Sequence, residues 1–325
     1  MDYLSLNNVS RILFEVNLRA AQGRRIQPTG FPNLGAATYR LPESGRSMLL
    51  VESAQSMANR LEIVMWDYEN RKLISELDGL PYVELYNEAT QSVSSSSILE
   101  AHRLSSPYLL VEGNSLYKTF EIAINDISQN DMPVDIPALS RLVFKYDPNS
   151  VLHGVFIANK LAGGRLRLQR LISAFIEAED VETVESGGVK NDILNPKGPA
   201  KEGQGHVPFH RTEYVATTIK AYFNLDLACL RSYGLDESAE KLLISLALWK
   251  IRRFLATGLR LRTACDLEVD SIVVKTPDTL EIPSEVELLA ELCKNICDCK
   301  QKNLFAEPTV TRVIMKTKEK AKKEE

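Results

Sequence analysis

Apolar and polar residues alternate cleanly near the start of the chain. Ile12, Phe14, Val16 and Leu18 fall on one side, and Arg11, Glu15, Asn17 and Arg19 fall with Leu13 on the other. This period of two predicts a half-buried strand over 11–19. After Met48-Leu49-Leu50 the period lengthens: Val51, Ala54, Ala58, Leu61 and Met65 share one stripe, predicting a helix from about Val51 to Met65. Its opposite face carries Glu52, Ser53, Ser56, Asn59 and Arg60, short polar groups that let a ligand approach closely; an ordinary wet face is the alternative. Tyr82–Tyr86 reads as a short strand, the serine-rich run Ser92–Ser97 as a loop, and Leu109–Ile124 as strand-like pieces around Glu112-Gly113-Asn114. A helix fits Ile136–Tyr146, stopped by Asp147-Pro148-Asn149. Val151–Phe156 reads as a buried strand carrying His153, and Ala162-Gly163-Gly164 as a turn. Arg165–Ala178 alternates again, with Arg165, Arg167, Gln169, Ser173 and Glu177 outward, predicting a strand pair with a basic outer face.

From Val181 to Arg211 the pattern dissolves into glycine, proline, lysine and asparagine, as in a projecting arm that orders on a partner. Residues 219–230 are the clearest strand of the chain. A helix over Ser238–Ala256 follows, ending in Lys250, Arg252 and Arg253, with Gly258 as its cap. Strands at Asp266–Val274 and Val310–Met315 flank a helix at Glu285–Cys299, and the tail 316–325 is charged. The resulting class is α+β, with β-α-β pieces compatible with a ferredoxin-like or RNA-recognition-type sheet carrying insertions.

One loop stands apart. Gly23–Gly35 sets Arg24, Arg25, Gln27 and Thr29 among glycines and prolines, a costly backbone to order; it either turns a corner or carries polar groups to a ligand. The net charge of −4 argues against a protein that coats nucleic acid with its whole surface, but the charge is uneven. Residues 151–176 hold Lys160, Arg165, Arg167 and Arg170 with no acid, and 250–265 hold Lys250, Arg252, Arg253, Arg260 and Arg262 with none. Side by side, these would make a stripe suited to a phosphate backbone.

Sites for catalysis are weakly signalled. There is no phosphate loop, no His-Glu-x-x-His and no Gly-x-Ser-x-Gly. Cys293, Cys297 and Cys299 lack zinc-site spacing, and His206 and His210 lack a third ligand. His153 among apolar residues is more often a satisfied core histidine. Glu177, Glu179 and Asp180 suit a solvated strand end better than a magnesium site. The five irregular cysteines and the lack of a signal peptide or an 18-residue apolar run predict a cytoplasmic protein without a membrane anchor.

Several long strings carry a family resemblance. Arg24-Arg25-Ile26-Gln27-Pro28-Thr29-Gly30-Phe31-Pro32-Asn33-Leu34-Gly35, the segment Leu50–Glu62, and the segments at 147–156, 173–181, 186–192, 207–211 and 221–227 resemble the backbone subunit of the type I-G (formerly I-U) CRISPR interference complex. The match spans roughly residues 11–262. It implies a single hand-shaped domain: an RNA-recognition-type palm, a helical finger insertion at 66–146 and a thumb arm at 181–215. It also implies a non-catalytic subunit that lines up in several copies along one guide RNA, whose bases pair with a target DNA strand. The further partners implied are the large subunit, the subunit holding the guide's ends and a recruited helicase-nuclease; no cofactor or metal is implied.

The residues expected to line the RNA are Arg19, Arg24, Arg25, Gln27 and Thr29, then Ser53, Gln55, Ser56, Asn59 and Arg60, then His153, Arg165 and Arg167. Lys190, Asn191 and Arg211 are expected from the arm, and Arg252, Arg253, Arg260 and Arg262 from the second basic segment. Two rivals remain. One is an RNA endonuclease of the same superfamily, with His153 or His210 as base or Asp180 or Asp192 holding a metal. The other is a metabolic enzyme with an incidental basic face.

Overall fold

The first alternation becomes a ten-residue strand, β1 (Arg11–Ala20), with Ile12, Phe14, Val16 and Leu18 all buried. The computed structural model describes residues 2–31, 34–127, 135–157 and 166–315; the predicted turn at 162–164, Arg165 and the tail 316–325 lie outside them. In chain order, β2 (Gly30–Phe31) pairs with β3 (Gly35–Ala36), and β4 (Thr38–Arg40) pairs with β5 (Ser47–Glu52). Helix α1 (Ala54–Ile63) begins three residues later than its apolar stripe predicts. Val51 is a buried strand residue, Ala54 is exposed, and Met57 takes the inner position. A short apolar run ahead of a helix reads equally as strand or helix. The boundary is set by Ser53, whose extended backbone and hydroxyl cap the Ser56 N–H.

The next stretch departs from its reading in two places. After β6 (Trp66–Asp67) and β7 (Lys72–Leu73), β8 (Tyr82–Asn87) is the predicted strand, but the serine run also forms one, β9 (Ser92–Ser96). Buried Ser97 explains this, since its hydroxyl accepts from the Val83 N–H and its own N–H donates to the Val83 carbonyl. Residues 115–127 form α2 (Ser115–Ile127), not strand pieces, burying Leu116, Tyr117, Phe120 and Ile124.

Helix α3 (Ile136–Tyr146) is followed at once by α4 (Pro148–His153), so His153 lies on a helix, not a strand. Asp147 followed by proline ends one helix and starts the next: its carboxylate caps the Ser150 N–H, and proline suits the first turn. The strand pair is β10 (Val155–Ile157) with β11 (Leu166–Leu168), and the predicted long strand breaks at Gln169–Leu171 before β12 (Ile172–Glu179). The dissolved segment is ordered as two nine-residue strands, β13 (Glu182–Lys190) and β14 (Val207–Val215), paired from Glu182↔Val215 to Lys190↔Val207. A ribbon wet on both faces has no alternation to display. Strand β15 (Thr218–Asp226) ends earlier than predicted, because Asp226 caps α5 (Leu227–Ser232). Then come α6 (Glu237–Ala256), β16 (Arg260–Arg262), β17 (Cys265–Thr276), α7 (Glu285–Gln301) and β18 (Val310–Ile314).

The fold is α+β. Seven strands form one antiparallel sheet in the order β16-β17-β1-β15-β12-β5-β4. At its centre Phe14 stands opposite Phe223 with rings stacked 5.0 Å apart. The inner face belongs to one apolar cluster shared with α1 and α6, including Trp249. The chain's last strand, β18, runs parallel to β8 in a separate three-stranded sheet, so residues 66–146 carry β-structure as well as helices and are completed by the C-terminal segment. Several cations on the outer face of the large sheet are paired: Lys220 with Glu15 at 3.4 Å, Arg19 with Glu268 at 2.9 Å and Arg46 with Glu179 at 3.2 Å.

Candidate nucleic-acid interface

The glycine-rich loop is pinned by its backbone to three distant elements. Ile26, fully buried, exchanges two hydrogen bonds with Tyr214 of β14, at 2.8 and 3.0 Å. The Gln27 N–H donates to the Ala264 carbonyl at 2.8 Å, and the Thr29 N–H to the Val51 carbonyl at 2.8 Å. Gly23 has φ +64°, which favours glycine, and a Cβ on Gly30 would lie 2.9 Å from the Gly35 oxygen. The loop is therefore a junction at the root of the β13–β14 hairpin.

That junction gathers arginines far apart in sequence. A cleft of about 580 Å³ is lined by Arg24 and Arg25 of the loop, Arg211 and Glu213 of β14, and the cross-strand pair Arg260 of β16 and Asp266 of β17. Glu213 is buried and accepts from Arg25 at 2.9 Å and from Arg211 at 2.7 Å. Burial alone would raise its pKa; the Ser186 hydroxyl and the two guanidinium groups outweigh burial and hold it below the ordinary glutamate value. Arg24 is exposed, and Arg260, three-quarters exposed, stands 3.7 Å from Asp266. Four arginines against two carboxylates leave the cleft positive.

Directly behind it lies a closed knot. Glu52 is fully buried and takes the Ser56 hydroxyl, Arg262 and, at 3.2 Å, the Arg60 Nε. Arg60 also donates to the Leu261 carbonyl at 2.5 Å, and Arg262 to the carbonyls of Gln27 at 3.0 Å and Val51 at 3.1 Å. Ser56, Arg60 and Arg262, expected from the sequence to contact RNA, are instead engaged with Glu52 and backbone carbonyls inside the protein, the Arg60 Nε as an ion pair without a hydrogen bond.

Other predicted residues scatter. Arg252 donates to the Ile282 and Pro283 carbonyls, and Arg253 pairs with Glu285 at 2.9 Å, both at the start of α7 and outside the cleft. Arg19 sits on the open sheet face with Glu268. Ser53 caps α1, while Gln55 and Asn59 are exposed on it and hydrogen-bonded to each other at 3.3 Å. Lys190 and Asn191 are exposed at the far end of the hairpin.

His153 is sealed, 1% exposed, with Nε2 3.2 Å from the Lys250 Nζ. Its ring is therefore turned inward, at the floor of a second cleft rather than on an open surface. Burial, then the Lys250 charge, pushes the His153 pKa well below its usual value, and burial pushes Lys250 down to about 7. Asn149 joins Lys250 to Glu62, and Glu62 takes Arg103 at 2.6 Å, so α1, α4 and α6 are tied through one buried polar network. Among the described residues no group of three or more His, Cys, Asp or Glu could hold a metal ion.

The model of one protein family, described as CRISPR-associated protein GSU0053, matches residues 12–183, just over half of the chain. The chain belongs to this family. The matched span runs from β1 through the loop and α1 to the first residues of the hairpin. No curated protein matches the sequence. Among solved structures, a chain of a CRISPR RNA-guided surveillance complex in a pre-nicking state superposes with a TM-score of 0.42 at 13% identity, over 90% of this chain and 86% of that one. Csc2 of Thermofilum pendens does so at 0.30 and 12%, over 93% and 80%. Arg170 lies in the acid-free segment 151–176 but off the strand alternation, so the period gives no reason to choose it.

Proposed function

We propose that this protein is a non-catalytic backbone subunit of a type I-G CRISPR interference complex, holding guide RNA by its phosphates while the bases pair with target DNA. The observation that carries this is the meeting of Arg24, Arg25, Arg211 and Arg260 in one cleft at the root of the hairpin. Arginines on a rigid junction suit phosphates, which position a strand without reading its sequence, as a subunit that accepts any guide requires. Membership of a CRISPR-associated family supports the setting.

On this reading β1, β12, β15 and β17, in the order β17-β1-β15-β12 with helices between them, are an RNA-recognition-type palm. Residues 66–146 are the fingers and 181–215 the thumb. Val189, Ile193, Leu194 and Phe209, all more than half exposed toward the hairpin's end, suit contact with a further copy. The large subunit and the guide-end subunit would complete a cytoplasmic assembly; among the described residues no helix is long and apolar enough to cross a membrane. Co-expression with the other subunits and a guide should yield a particle carrying RNA of defined length. Protein that purifies with its partners but without RNA sinks the proposal.

A further inference from the structure

A second cleft, sharing no residue with the first, has the chemistry of an anion site. It measures about 460 Å³ and is lined by Gln55, His102, Arg103, His153, Arg167 and Arg170, with no carboxylate in its wall. Arg103 is neutralised from behind by Glu62, at 2.6 and 3.1 Å. Arg167 and Arg170 are not neutralised: among the described residues neither has a carboxylate within ion-pair reach. The half-buried Arg170 guanidinium rests on three neutral acceptors at long range, the His153 carbonyl at 3.3 Å, the Ala54 carbonyl at 3.3 Å and the Gln55 Oε1 at 3.2 Å.

A partly desolvated cation without a counter-ion is unfavourable, and here its neighbours add to the cost. Burial first, then the charge of Arg103, lowers the Arg170 pKa, and the charge of Glu62 behind Arg103 offsets this only in part. The buried Nδ1 of His153 has no hydrogen-bond partner. Ala54 and Gln55 open the ten-residue helix α1, whose free N–H groups favour negative charge. Gly154 has φ +80°, and a Cβ there would come 3.0 Å from the Arg170 backbone nitrogen and from the Leu168 carbonyl oxygen, so glycine lets the segment carrying Arg170 pack closely against the end of α4.

We infer that this cleft is a second phosphate site, built on Arg167 and Arg170, that takes one phosphodiester of the bound RNA strand beside the first turn of α1. The inference rests on the RNA-binding reading above.

The test uses the full chain assembled with its partners and a guide. Arg167→Gln, at an exposed position, spares the fold; Arg170→Gln is compared after its melting temperature is checked. Each should weaken RNA affinity several-fold for all guide sequences alike, and each should flatten the dependence of log affinity on log salt by about 0.7, one phosphate contact on a single strand. If wild type retains RNA and Arg167→Gln retains it equally, with the same salt slope, the second site is overturned while the RNA-binding reading stands. If wild type retains no RNA, that reading fails. The melting temperature in inorganic phosphate against chloride at matched ionic strength is then measured, and a rise in wild type lost in Arg167→Gln would reassign the cleft to a free phosphate and overturn the strand assignment.

Discussion

Arg260 and Arg262 are two residues apart on one short strand, yet they belong to different worlds. Arg260 is three-quarters exposed in the cleft, whereas Arg262 is 23% exposed and buried against Glu52. In a regular strand both would share a face. The register shifts between them, with Arg260 opposite Asp266 and Arg262 opposite Cys265, and such an irregularity re-aims side chains. The comparison of the cleft with the knot behind it teaches that a basic run divides by burial into arginines open to solvent and arginines that hold the frame.

The largest break in that comparison should come from Glu52→Ala. It leaves Arg60 and Arg262 without their buried anion, and should cost about 3–5 kcal/mol in denaturant unfolding. Loss of RNA retention should accompany it, because Arg262 also anchors the loop at Gln27. A variant as stable as wild type would show the knot to be dispensable. The opposite profile is expected of Arg24→Ala/Arg260→Ala, both at exposed positions. Its unfolding free energy should stay within about 1 kcal/mol of wild type, as for exposed pairs. Its RNA affinity should fall for every guide, with a salt slope shallower by about 1.4 for two lost contacts.

Two titrations sharpen the division. Lys250 has a folded pKa of about 7, far below its usual value, so the unfolded chain binds more protons above pH 7 and stability should rise from pH 7 to 9. In Lys250→Met that rise should flatten; an unchanged slope would mean the lysine is not buried as described. Glu213 is the milder case. Its folded pKa is depressed, so its contribution is full above the ordinary glutamate value of 4.5 and is lost as pH falls through the lower folded value. Glu213→Gln should abolish that acid-side loss, a difference of about 1 kcal/mol given that its arginines are partly solvated.

Elements with one wet and one dry face were legible in sequence: β1, β15 and α7 lie close to where alternation or a helical stripe put them, and α6, buried around most of its length, was found by its length and its capping residues. What failed had no such asymmetry. The hairpin is wet on both sides, β5 was merged into α1 by a continuous apolar run, and α4 hid behind an Asp-Pro that reads as a stop. In the site, Arg24, Arg25, Arg211 and Arg260 were legible as charge, but the fates of Arg60, Arg262 and His153 were not. Their partners Leu261, Glu52 and Lys250 lie about a hundred to two hundred residues away in sequence, where no local pattern reaches.

The Ile26–Tyr214 stitch has a mechanical consequence. The hairpin's nine paired residues make a rod about 30 Å long, at 3.3 Å per residue. Any load on its tip is reacted at its root, where two hydrogen bonds fasten it to the segment carrying Arg24 and Arg25. The hairpin thus behaves as a lever whose fulcrum is the cleft, and whatever steadies its free end also steadies the loop that carries Arg24 and Arg25.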